Sequence, residues 1–124
     1  MDLRQLDESD EITMRTMRRD GSWSSRPIWI VVVNDEPYVR SANGASGMWY
    51  RKVLSGGRAE IVVDGEPLPI SGLALHDKAV NDLVSDAYRA KYAGSSPGSA
   101  KAMTTGEPPS TTLRLNVPGV ESHR

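Results

Sequence analysis

The sequence predicts a mainly β domain: a small closed sheet of six strands, with one short helix between strands three and four and one longer helix before the last strand. Three observations predict it. Two stretches of strand-like residues fold back at tight-turn signals, Asn34-Asp35 and Asp64-Gly65, and read as hairpins. Only two segments carry a helical pattern. Sheets rich in hairpins with so few helices tend to close into barrels.

The first strand is "ITMRTMR", residues 12–18, where Ile12, Met14 and Thr16 share one face and Arg15 the other, and the turn "RDGSWSSR" ends it. The second, "PIWIVVV" at 27–33, is apolar on both faces, with Ile28, Ile30 and Val32 opposite Trp29, Val31 and Val33. One face suits a barrel interior. The other needs cover from a helix or a second subunit, since an exposed row of Trp and Val would form a large apolar patch, and a homodimer is the expectation drawn from it. "NDEP" turns this strand into "YVRS", so residues 27–41 form a hairpin.

Residues 46–55, "SGMWYRKVLS", read as a short helix capped by Ser46 and stopped by Gly56 and Gly57. "RAEIVV" and "EPLPISGLAL" make the second hairpin, in which Pro67 and Pro69 put the strand's start at an edge or a bulge. In "HDKAVNDLVSDAYRAKYAG" Val80, Leu83, Val84, Ala87 and Tyr88 fall on one helical stripe, with Asp77 placed to cap the start and Gly94 the end. Residues 94–110 have no period and are rich in Gly, Pro and Ser, so they read as a long loop, mobile or a lid. "TTLRLNV" closes the sheet with Leu113, Leu115 and Val117 inward, and 118–124 read as a fraying tail.

A chain of 124 residues fits a single domain over 1–124. A net charge of -1 argues against a surface built for nucleic acid or an anionic membrane, so any anion site must be local. The absence of cysteine excludes disulfides and thiolate metal sites, and His76 and His123 are too few and too far apart for zinc, so no metal is expected. The N-terminus is acidic with no apolar run, and nowhere do roughly 18 apolar residues follow one another, so the expectation is a soluble, cytoplasmic protein. Phenylalanine is absent beside three Trp and four Tyr, so much of the aromatic surface carries a polar handle.

The stretch "YVRSANGASGMWYRK", residues 38–52, gathers three cations and two aromatic rings around small residues. Read as a binding site, "ANGAS" running into the short helix offers backbone N–H groups to a phosphate, and Gly44 and Gly47 allow close approach. Arg40, Arg51 and Lys52 would add charge-assisted hydrogen bonds, Ser41 a hydroxyl, and Trp49 or Tyr50 a surface for stacking on a flat ring. Read as structure, Trp49, Val53 and Leu54 are core contacts while Arg51 and Lys52 form a solvated face. The residues alone leave both readings open. Strand alternation adds that Arg40 and Ser41 should point to opposite sides.

"SSRPIWIVVVNDEPYVRSANG", "WYRKVL" and "RAEIVVDG" together resemble the flavin and deazaflavin-binding split barrels, related to pyridoxamine phosphate oxidase and the deazaflavin-dependent nitroreductases, in an uncharacterised subgroup. The resemblance covers roughly residues 12–75 and rests on the order of Arg26-Pro27, Ser41 to Gly44, Trp49-Tyr50 and Arg58 to Val62. It implies a six-stranded split β-barrel, a homodimer, and FMN or a deazaflavin near the subunit interface, in a protein acting as an oxidoreductase. It implies phosphate contacts from Arg26, Arg40, Ser41, Ser46 and Lys52 and ring contacts from Trp49 or Tyr50. Trp29 reads as core or dimer interface, and His76 and Asp20-Gly21 as local hydrogen-bonding and turn residues. Lys52 stands where the deazaflavin group shows Asn, and "ANGASG" departs from the family's usual pattern, so a non-enzymatic split-barrel dimer that binds a small phosphorylated or aromatic ligand, or none, stays open beside the oxidoreductase. An oligonucleotide-binding barrel ranks below both because the chain is slightly acidic.

Overall fold

The computed structural model describes residues 2–92 and 94–120. Helix α1 (Leu3–Glu8) opens the chain, fixed by a capping box in which Asp2 accepts from the Gln5 N–H and the Gln5 side chain accepts from the Asp2 N–H. Its Leu3 and Leu6 are buried. Strands β1 (Ile12–Met17), β2 (Trp23–Ile28), β3 (Ile30–Val33) and β4 (Glu36–Val39) follow, then helix α2 (Met48–Leu54), strands β5 (Ala59–Val63) and β6 (Glu66–Ala74), helices α3 (Lys78–Tyr92) and α4 (Pro97–Thr104), and strand β7 (Leu113–Asn116). The strands form one antiparallel sheet in the order β2-β1-β5-β6-β7-β4-β3 that curls into a half-barrel.

Among the described residues seven strands are present, not six. The extra one comes from a single extended run that changes partners: Ile28 lies opposite Ile12 of β1, and two residues later Ile30 lies opposite Val39 of β4. Trp29 is the corner. "WSSR", read as part of a turn, is strand, because β2 sits at the sheet edge, where Ser25 and Arg26 are exposed and no alternation of burial marks the pairing. The long β6 hands over in the same way, pairing with β5 through Ile70 and with β7 from Ser71.

Two apolar clusters hold the fold. Ile12, Met14, Ile28, Ile30, Val39, Ile61 and Leu113 fill the inside of the curl with Trp49, Tyr50 and Val53 of α2. Val31, Tyr38, Val84, Tyr88 and Tyr92 form the second cluster beneath α3, joined by half-buried Trp29 and Val33. Each fully buried Ile, Val or Leu contributes about 1.5–3 kcal/mol relative to exposure. Both faces of "PIWIVVV" are thus covered within one chain, and α3 supplies the cover for which a second subunit was one candidate.

The turns behave as their residues require: Asn34, Asp35 and Asp64 have positive φ (50°, 64° and 50°), which Asn and Asp tolerate. Asp77 accepts from the Val80 N–H at 3.0 Å and starts α3, which ends at Tyr92. The expected loop at 94–110 contains α4, with Pro97 in its first turn, and a 3-10 turn over Pro108–Thr111. Of the tail, Val117 and Val120 are tied by a backbone hydrogen bond at 3.0 Å and Val120 packs on the core, while 121–124, including His123, lie outside the described residues.

Candidate active-site cleft

A cleft of about 680 Å³ opens where the β2–β3 corner, the loop leading into α2, and α4 converge. Arg26, Pro27, Ile28 and Trp29 form one wall, Ala42, Asn43, Ser46, Gly47, Met48 and Trp49 a second, and Ser99, Ala102 and Met103 a third, with Arg40 and Glu11 completing the lining. The partner switch shapes the first wall, since Trp29 falls between the two ladders while Arg26, Pro27 and Ile28 stay paired with β1.

Of the seven residues the resemblance singles out, the cleft brings together Arg26, Arg40, Ser46 and Trp49. Arg26 is exposed. Trp49 is 9 % exposed, so its ring belongs to the core and reaches the cleft with one edge. Tyr50 is buried in the core, edge-on to Trp49 with centroids 6.3 Å apart, and does not line the cleft. Lys52 also stands away from it, with its methylene stem against Gly57. Arg51 and Leu54 are exposed, which gives the helix the solvated cation of the structural reading but not its third core contact.

Arg40 is 1 % exposed and all its donors are engaged. Nε donates to Thr112 Oγ1 (2.9 Å), Nη1 to Ser85 Oγ (2.8 Å) and the Met103 carbonyl (3.1 Å), and Nη2 to the Asn81 carbonyl (2.9 Å) and Oδ1 (3.4 Å). None of these acceptors is a carboxylate. Its Cζ lies 5.5 Å from the Tyr88 ring centroid. Burial pulls the Arg40 pKa below its ordinary value, as expected of a cation solvated only by dipoles.

Ser41, also 1 % exposed, donates its N–H to Thr111 Oγ1 at 2.9 Å, while its own Oγ is buried with no partner and rests against Gly47. Both Arg40 and Ser41 are therefore buried, and because β4 ends at Val39 the strand alternation expected to separate them does not extend to either. Ser46 does not cap α2: Gly47 stands at that position, and Ser46 Oγ donates to the Asn43 carbonyl at 3.0 Å, closing a 3-10 turn over Gly44–Ser46. The loop amides read as a phosphate cradle are largely engaged already. Gly44 N–H donates to the Ser41 carbonyl (3.0 Å), Gly47 N–H to the Gly44 carbonyl (3.1 Å), and Ala45 N–H to Glu107 Oε1 (2.8 Å). The anion on this loop is the chain's own carboxylate, and room on the cleft side lies at Asn43, Ser46 and Gly47.

Trp29 joins cleft and core. Its ring stacks on Tyr92 with centroids 3.9 Å apart and planes 6° from parallel, while Tyr88 donates to the Trp29 carbonyl at 3.2 Å. Tyr92 donates to the Asp10 carbonyl at 2.7 Å, and Lys91 to the Ile30 carbonyl at 2.6 Å. Burial pushes the pKa values of Tyr88 and Tyr92 well above the ordinary 10.0 and that of Lys91 below its ordinary 10.5. Because the tyrosines keep their protons longer folded than unfolded, their contribution to stability is complete below pH 10.0 and is lost as pH rises beyond it. Lys91 has the opposite sign, adding stability as pH climbs towards 10.5. Thermal stability should therefore rise slightly as pH approaches 10, where Lys91 acts alone, and decline beyond it as the tyrosines take over, and the decline should flatten in a Tyr88→Phe/Tyr92→Phe variant.

The curled antiparallel sheet with a cleft at the strand corner has a split-barrel fold, shared with the solved structures to which the chain is similar. By fold the chain is similar to the FAD and heme binding protein from Mycobacterium smegmatis (18% identity, TM-score 0.58), with 90% of this chain aligned to 61% of that one. It is also similar to a pyridoxamine 5'-phosphate oxidase-like protein from Listeria innocua (9% identity, TM-score 0.60, 93% and 87% covered) and to an F420 reductase (13% identity, TM-score 0.52, 94% and 90% covered). Residues 2–115 match the family described as "Uncharacterized protein conserved in bacteria (DUF2255)", and the chain belongs to that family. No curated protein matches its sequence. Among the described residues no helix is long and apolar enough to cross a membrane.

Sequence reasoning did not find the third wall. Ala100 and Met103 bury three residues apart, a helical spacing that Gly94, Pro97 and Gly98 obscure. Nor does any sequence pattern place Glu11 or Pro27 beside the loop before α2.

Proposed function

We propose that this cleft binds a flavin-type cofactor, FMN or a deazaflavin, and that the protein works as an oxidoreductase, with a homodimer completing the open side of the site. The observation that carries the reading is the convergence of an exposed guanidinium (Arg26), a buried one facing no carboxylate (Arg40) and two indoles (Trp29, Trp49) on one cavity. A buried cation lacking a counter-charge favours an anion nearby. The partnerless Ser41 Oγ behind Gly47, where no Cβ intervenes, also fits an anionic group at that wall.

A flavin or deazaflavin, when bound, supplies the hydride chemistry. Arg26 would neutralise the phosphate, with Ser46 and Asn43 offering further hydrogen bonds. Trp29, Met48 and the edge of Trp49 would lie against the ring and keep water from it. The mycobacterial protein of similar fold is described as binding both FAD and heme; here, among the described residues, no His, Cys or Tyr lines the cleft, leaving the Glu11 carboxylate and the thioethers of Met48 and Met103 for an iron, which favours the flavin.

The absorbance spectrum of freshly purified protein, with and without added FMN or deazaflavin, tests binding, and turnover of the bound cofactor with a nicotinamide or nitro compound tests catalysis. Retained cofactor that turns over supports the enzyme. Retained cofactor that does not turn over supports the second reading, a non-enzymatic dimer holding a phosphorylated aromatic ligand, which is favoured by the engagement of the Ala45 N–H by Glu107. Arg26→Ala is expected to weaken FMN binding about tenfold or more, as loss of a charge-assisted contact does, while leaving the melting temperature within a few degrees.

A further inference from the structure

We propose that α4 and the turn after it, residues 97–111, act as a lid on the cleft, seated by Arg40 and Glu107 and tightened when an anionic aromatic ligand occupies the space beneath. The seat is narrow. Helix α4 has eight residues, no side-chain N-cap bond, and only Ala100 and Met103 buried. An isolated helix of that length is unstable in water, so its order depends on what it touches. Gly94 lies before it, and Gly106, with φ of 69°, lies after it, placing permissive backbone at both ends.

Three polar bonds fasten the segment to residues 40–45. Arg40 Nη1 donates to the Met103 carbonyl at 3.1 Å, Ser41 N–H to Thr111 Oγ1 at 2.9 Å, and Ala45 N–H to Glu107 Oε1 at 2.8 Å. Two of them involve a charged group, and both charged groups belong to single side chains that can be replaced. The face α4 turns to the cleft carries Ser99, Ala102 and Met103. A ligand against that face contacts α4 only when the lid is seated, so it must shift the equilibrium towards the seated form. This ligand-linked closing rests on the reading of the cleft as a cofactor site; the existence of the lid does not.

Hydrogen exchange of the protein without ligand tests the lid itself. Amides of 98–105 should exchange faster than those of α3. Glu107→Ala should speed them about threefold and Arg40→Met about tenfold, with β1 and β5 unchanged. Because Glu107 is exposed, its variant keeps the core intact even if the Arg40 variant does not fold. Exchange in 98–105 as slow as in α3 and untouched by Glu107→Ala would make α4 a fixed part of the core and overturn the proposal. In the second arm, FMN should slow exchange in 98–105 of the wild-type protein and do so less in Glu107→Ala. FMN that binds without slowing it overturns the coupling, whereas FMN that fails to bind overturns the cofactor reading and leaves the ligand-free result standing.

Discussion

Tyr92→Ala should lower stability by about 3–5 kcal/mol, the range for removing a large buried aromatic, and the melting temperature by roughly 10–20 °C. The ring is 2 % exposed, stacks on Trp29 at 3.9 Å, and its hydroxyl donates to the Asp10 carbonyl at 2.7 Å. It therefore ties the end of α3 to the strand corner and to the segment before β1. Tyr92→Phe keeps the stack and loses the hydroxyl bonds, so its loss should be nearer 1 kcal/mol. Thermal unfolding followed by circular dichroism separates the two. If the alanine variant melts within a few degrees of the wild type, the stacked pair does not hold α3 on β3.

Gly47→Val is expected to damage both fold and site. The backbone there is ordinary (φ −59°), so the cost is space rather than strain: a Cβ would fall on the buried Ser41 Oγ. Overpacking of this kind costs about 1–3 kcal/mol. The loop before α2 must move away from Ser41, and affinity for an anionic ligand in the cleft should fall about tenfold or more. Gly98→Ala is the control, since nothing lies within 4 Å of the position its Cβ would take, and inside a helix that change should add a few tenths of a kcal/mol or more. A titration of both variants with FMN, paired with their melting curves, reads the outcome. Unchanged affinity in a folded Gly47→Val protein would place the ligand elsewhere.

What the sequence made legible follows from periodicity and turn chemistry. The Asn34-Asp35 and Asp64-Gly65 pairs gave away both hairpins, and the stripe on α3 marked a helix packed on one face through Val80, Val84, Ala87 and Tyr88, although Leu83, read on the same stripe, is exposed because it lies at the margin of that face. Elements whose pattern lacks apolar residues stayed hidden. β2 is an edge strand of Ser and Arg, α1 is a single capped turn and a half with two leucines, and α4 is composed largely of residues that usually form loops. The corner at Trp29 was invisible because "PIWIVVV" is continuous in chemistry, and only the change of partner from β1 to β4 divides it.

The candidate site was half legible for a related reason. Arg26 and Trp49 were found because motif order brought them forward, and both reach the cleft. Tyr50 is beside Trp49 in sequence but turns into the core, as neighbours on a helix surface do. Arg40 has its guanidinium committed to α3, α4 and Thr112 through neutral acceptors, a role that depends on residues 41 to 72 positions away in sequence. Glu107 gave no sign of its contact with Ala45, 62 positions earlier.

The central claim is that the crevice beside Trp29 and Gly47 holds an anionic flat ring through Arg26. Fluorescence titration of FMN and of riboflavin into wild-type and Arg26→Ala protein tests it most directly. The account predicts saturable quenching of FMN at micromolar protein, weaker binding of uncharged riboflavin, and loss of that preference in Arg26→Ala. Equal affinity for both compounds, unaffected by the substitution, or no quenching of either, would contradict it.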